Sequence, residues 1–86
     1  MKNSSDPQIK FYGTRWCPTS KRAKNMMDSN NISYQYVDID KDPEGRKAVE
    51  TINNGNRSVP TILFPDGSIL VEPSKNELTE KINQYL

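Results

Sequence analysis

The chain has 86 residues, enough for one domain with a thin core. A hydrophobic fraction of 33 % and a formal net charge of +1 leave no electrostatic footprint for nucleic acid, and no apolar run reaches the roughly 18–20 residues that cross a bilayer. A single cysteine, Cys17, and no histidine exclude an internal disulfide, a Cys–His or Ser–His–acid site and an ordinary zinc centre. What remains is the chemistry of one thiolate, or none. The first ten residues, Met1–Lys10, have no apolar signal-peptide core, so the expected location is cytoplasmic.

Residues 1–7 are polar and small-rich and read as a flexible tail, with the folded domain over 8–86. Gln8–Tyr12 alternates as a short strand, with Ile9 and Phe11 on one face. After the loop Gly13–Trp16, a helix runs from Pro18 to Asn30, where proline suits the first helical position and Ala23, Met26 and Met27 make an apolar stripe. Ser33–Ile39 is a β-rich stretch of strand length. Asp42-Pro43 opens a second helix, whose Ala48, Val49 and Ile52 share a face, and Asn53-Asn54-Gly55-Asn56 ends it. Thr61–Phe64 and Ser68–Val71 flank Pro65-Asp66-Gly67, a hairpin signal. Ser74-Lys75-Asn76-Glu77 is a capping box before Leu78, Ile82, Tyr85 and Leu86 at helical spacing. The order βαβαββα, opening with a parallel crossover, predicts an α/β sandwich: a four-stranded mixed sheet flanked by three helices.

Cys17 stands just before the helix-opening Pro18. There, unpaired N–H groups and the positive end of the helix dipole favour a thiolate. Free cysteine has a pKa of about 8.5, which helix N-termini lower to roughly 3.5–7.5. Arg15, Lys21 and Arg22 add positive charge nearby. A buried, inert cysteine is the alternative, but Arg15, Pro18, Thr19 and Lys21 are poor company for a core. Trp16 stands open between core anchor and exposed lid. Pro60, in Ser58-Val59-Pro60-Thr61, fits a plain strand-starting proline; in a functional role it would be cis and would present the preceding backbone to a ligand.

Trp16-Cys17-Pro18 after a strand, Ser58-Val59-Pro60 before another, and a hairpin followed by a helix resemble the glutaredoxin family over residues 8–86. The segments Asn54–Thr61, Pro65–Ser68 and Glu72-Pro73-Ser74 are similar to its mycoredoxin-like branch. The resemblance implies a thioredoxin-like fold, Cys17 as nucleophile, Pro60 as a cis-proline, Val59 offering its backbone to the substrate chain, and Trp16, Arg57 and Ser58 lining the groove. The tetrad is Cys17-Pro18-Thr19-Ser20, so Ser20 occupies the place of the second cysteine of dithiol members. Val71-Glu72-Pro73-Ser74 lacks the glycine pair with which glutathione-specific members hold the tripeptide. Pro18 replaces the glycine of the iron–sulfur-carrying branch.

The expected activity is thiol–disulfide exchange by a monothiol route. A low-molecular-weight thiol, glutathione or mycothiol-like, serves as co-substrate, with no permanent cofactor and no metal. Arg57, Lys21 and Arg22 would draw its carboxylates; Thr14 and the main chain around Val59 would align it. The partners are disulfide-containing or thiolated proteins, and the chain is expected to be a monomer. Ser20, the hydrogen-bond donor to the thiolate, is expected near the surface. Two other classes fit the same residues: a dimeric iron–sulfur carrier, marked by colour after anaerobic purification, and a redox-inactive binding module, marked by an unshifted thiol titration.

Overall fold

The computed structural model describes residues 9–84. The elements follow in the order β1 (Ile9–Gly13), α1 (Pro18–Ser29), β2 (Tyr34–Asp38), α2 (Pro43–Ile52), β3 (Thr61–Leu63), β4 (Ile69–Val71) and α3 (Lys75–Asn83). The sheet runs β2-β1-β3-β4. β1 and β2 are parallel, with Phe11 opposite Tyr36; β3 is antiparallel to β1, with Phe11 opposite Ile62, and β4 is antiparallel to β3. The expected mixed sheet with three helices is therefore present. The tail and the last two positions, Tyr85 and Leu86, lie outside the described residues.

The period of two along β1 distributes its side chains between two cores. Ile9 and Phe11 face Ala23 and Met27 of α1 and Leu78 and Ile82 of α3, with Ile62 and Phe64 completing that layer. Tyr12 faces the other way, onto Val49 of α2 and Ile39. α1 and α3 thus cover one face and α2 the other.

The helix ends follow local chemistry. Asp42 caps α2 by accepting from the N–H groups of Glu44 and Gly45 at 3.0 and 3.1 Å. The capping box of α3 is complete: Ser74 Oγ accepts from Glu77 N–H at 3.1 Å, and Glu77 Oε1 accepts from Ser74 N–H at 2.8 Å. At the hairpin, Gly67 takes φ 91°, and Lys81 Nζ reaches Asp66 Oδ2 at 2.8 Å. This bond, together with those from Ser68, holds the Asp66 carboxyl well below the usual carboxylate range.

Ser20 departs from the expectation. It is 2 % exposed, because it shares the inward stripe of α1 with Ala23 and Met27, at helical spacings of three and seven. Its hydroxyl packs against the backbone of β1: a Cβ built on Gly13 would lie 3.1 Å from Ser20 Oγ. The stripe, rather than the polarity of serine, sets its burial.

Candidate functional site

β1 ends at Gly13, and the short link through Trp16 delivers the chain to α1, whose N-cap is Cys17 with extended backbone angles, φ −82° and ψ 118°. Pro18 takes the first helical position and has no N–H to leave unpaired. Lys21 N–H closes the first turn on Cys17 O at 3.0 Å. In an ordinary N-cap a serine or aspartate oxygen would accept from the amides of the second and third helical residues. At this cap a sulfur takes the position, without a cap hydrogen bond of ordinary geometry.

The electrostatics of Cys17 follow from the cap. Burial pushes its pKa up, but the backbone N–H and hydroxyl of Ser20 and the backbone N–H of Thr19 outweigh it, so the thiol is more acidic than an ordinary cysteine. Glu72 opposes the shift with its negative charge. The helix terminus therefore acts as expected, whereas Arg15, Lys21 and Arg22 do not figure among the causes of the shift. All three are exposed, and water screens their charge. The Ser20 hydroxyl itself finds no hydrogen-bond partner of ordinary geometry among the described residues, nor does that of Thr14. The effect of the Ser20 hydroxyl on the Cys17 pKa places the sulfur within its reach.

Across from the sulfur lies Val59, whose carbonyl oxygen is 4.0 Å from Cys17 Sγ although 42 positions separate the two. The Val59–Pro60 peptide bond is cis. The segment is pinned on both sides of that bond. Thr61 Oγ1 donates to Ser58 O at 2.7 Å, and Glu72 N–H donates to Pro60 O at 2.8 Å. Asn53, at the C-cap of α2, donates to both Val49 O and Thr61 Oγ1 at 3.1 Å, which ties the segment to the helix below it. β3 begins at Thr61, paired with Tyr12, so the loop before it is carried to the end of β1 where Cys17 stands.

The predicted site residues fall into two groups around this contact. Thr14, Ser20 and Lys21 line a recess of about 290 Å3 with Arg15 and Tyr36, on the β2 side of the α1 terminus. The Val59 carbonyl lies by the sulfur, with Pro60 buried after it and Ser58 half-buried before it. Thr19 is half-buried with its backbone N–H near enough to lower the Cys17 pKa, and Pro18 is exposed at the helix start. Trp16 is 71 % exposed, which settles the open choice against a core anchor; its indole N–H donates to Asp40 Oδ2 at 2.7 Å. Asp40 sits in a loop that Arg46 clamps by donating to the carbonyls of Ile39 and Asp40. Arg57 is exposed and engaged by Glu50 in an ion pair. A carboxylate drawn to Arg57 would share it with Glu50.

Asp40, Glu50 and Glu72 are the groups that sequence reasoning passed over. The first two act through partners 24 and 7 positions away, a pairing that no local spacing announces. Glu72 did carry a signal: it replaces a glycine of the resembled family, and its φ of 47° lies in the left-handed region that favours glycine.

The family model described as Glutaredoxin matches residues 9–69. A Mycobacterium tuberculosis protein bearing a glutaredoxin name is 39 % identical over 74 residues, covering 86 % of this chain and 88 % of that protein. Mycoredoxin 1 of Corynebacterium glutamicum is 34 % identical over 74 residues, covering 86 % of this chain and 91 % of its own length. Among solved structures, the thioredoxin-like protein BC3987 superposes with a TM-score of 0.70 at 26 % identity, covering 92 % of this chain and 100 % of that one. The glutaredoxin of Archaeoglobus fulgidus, at 24 % identity and a TM-score of 0.72 over 95 % of this chain and 96 % of its own, shares the fold. With a family match across most of its length and relatives above a third identical, this thioredoxin-like chain belongs to the glutaredoxin family.

Proposed function

We propose that this chain is a thiol–disulfide oxidoreductase working by a monothiol route through Cys17. The observation that carries the reading is the sulfur at the α1 cap, acidified by the amides of Thr19 and Ser20, with the Val59 carbonyl beside it. The Cys17 thiolate attacks one sulfur of a mixed disulfide. The Cys17–S bond forms as the substrate S–S bond breaks, and its electron pair leaves on the released thiolate. A low-molecular-weight thiol, as its thiolate, then attacks the mixed disulfide on Cys17. It takes the bound group away as a new disulfide and restores the Cys17 thiolate. Ser20 supplies a hydrogen bond and no second thiol, so the resolving step comes from outside the chain.

In this reading the backbone at Val59, beside cis-Pro60 and Ser58, lines up the substrate. Trp16 covers the approach from the side of Asp40. The small thiol is of the glutathione or mycothiol class, the protein partners are thiolated or disulfide-bearing, and the chain acts as a cytoplasmic monomer. No helix among the described residues is long and apolar enough to cross a membrane.

The test is thiolate absorbance at about 240 nm against pH, read beside reduction of a small mixed disulfide in the presence of free thiol. A midpoint below the ordinary cysteine value together with turnover supports the reading. A midpoint at or above about 8.5 refutes it.

A further inference from the structure

Glu72 follows β4 and precedes Pro73 and the cap of α3. Its backbone is committed: φ is 47°, and its N–H is bound to Pro60 O at 2.8 Å. Pro60 O is one residue beyond Val59 O, which lies 4.0 Å from Cys17 Sγ. Glu72 is therefore tied by its backbone to the residue that follows Val59, on a neighbouring segment of the chain. The residue is exposed, and among the described residues its carboxylate enters no ion pair or hydrogen bond. Arg57, the cation just before Ser58 and Val59, is paired with Glu50.

We infer that Glu72 is a charge filter: Cys17 reacts faster with disulfides bearing a cationic or neutral group beside the attacked sulfur than with those bearing a carboxylate there. The inference rests on the thiol–disulfide reading above and names the substrate class that reading leaves open. It reverses the sign expected from the basic residues around Cys17. Glu72 is as exposed as those bases; what sets it apart is the backbone bond that ties it to Pro60, next to Val59. The same charge opposes ionisation of Cys17, in line with a field that reaches the sulfur. An anionic disulfide adds its own charge to that field, and a cationic one relieves it. One unit charge across a few ångströms of partly solvated groove changes a rate by about threefold to tenfold.

The experiment compares single-turnover attack by Cys17 on three disulfides that differ in charge: cystamine, bis(2-hydroxyethyl) disulfide and 3,3′-dithiodipropionate. Wild type, Glu72→Gln and Glu72→Lys are compared at a pH where absorbance shows Cys17 fully ionised in each, so proton affinity drops out of the rates. The wild type is expected to prefer cystamine to dithiodipropionate, with the hydroxyethyl compound between. Glu72→Gln should cut that ratio by about threefold to tenfold, Glu72→Lys should cut it again, and high salt should shrink the differences. Reduction of all three at a ratio that neither variant changes overturns the inference alone. Reaction with none of the three overturns the oxidoreductase reading, and the inference with it.

Discussion

Replacing Ser20 with alanine should change stability in opposite directions at low and at high pH. The Ser20 hydroxyl is buried and has no hydrogen-bond partner of ordinary geometry among the described residues, and a neutral thiol offers it only a weak acceptor. Leaving a buried hydroxyl unsatisfied costs about 1–3 kcal/mol, so with Cys17 protonated the alanine variant should be the more stable protein by about 1 kcal/mol. The space vacated is a single oxygen next to Gly13, too small to return much of that as a cavity cost. With Cys17 ionised, the same hydroxyl donates to a charge, a bond worth about 1.5–3 kcal/mol, and its removal destabilises. The linkage agrees in sign. The folded-state pKa of Cys17 is lowered, so its contribution is present above the unfolded value and is lost as pH falls through the folded one. Ser20→Ala removes part of that contribution at high pH only. For a domain of this size 1 kcal/mol moves Tm by about 4–8 °C. Thermal melts followed by circular dichroism should therefore show Ser20→Ala raising Tm by about that much near pH 5 and lowering it by at least as much near pH 9.5. In a Cys17→Ala background the alanine at position 20 should stabilise at both. A change of the same sign and size at both pH values in the wild-type background would refute the argument.

Ser20→Cys should create a chain that forms an internal disulfide with Cys17 and gains insulin-disulfide reductase activity, because a second thiol can then release a trapped complex. Its fold cost is set by two opposed effects at a buried site, a lost unsatisfied hydroxyl and a larger sulfur against Gly13, so Tm should move little. Equal insulin reduction by both forms would show that Ser20 does not limit the chemistry. Gly45→Ala should destabilise: a Cβ there runs into Val37 Cγ1, an overlap costing about 1–3 kcal/mol against a helix-propensity gain of about 1 kcal/mol. A Tm drop of several degrees is expected in the same melts, and an unchanged Tm would mean that Val37 turns aside freely.

The elements of this fold were legible wherever a local rule binds neighbouring residues. Cys17-Pro18, Asp42-Pro43 and Ser74–Glu77 each place a helix start to the residue, and Pro65-Asp66-Gly67 places the hairpin. Each is a contact within four positions. The site was legible as far as its chemistry rests on such contacts, which is why the acidified Cys17 could be read from a helix terminus. What escaped depends on distance in sequence. The pairing of Arg57 with Glu50, the hold of Asp40 on Trp16 and the bond from Glu72 to Pro60 exist only once the sheet and α2 are assembled. Ser20 is the exception. Its spacing to Ala23 and Met27 marks an inward position, and serine's polarity hid it.

The single tryptophan of the chain stands next to Cys17, largely in water, with its indole N–H bound to Asp40 Oδ2. That arrangement gives the protein a native optical reporter. A group joined to Cys17, or a chain laid beside Val59, changes the polarity around one defined indole and no other. The mixed disulfide of the proposed route can thus be sought by emission alone, in real time and without a label, with a signal from one site rather than an average over several.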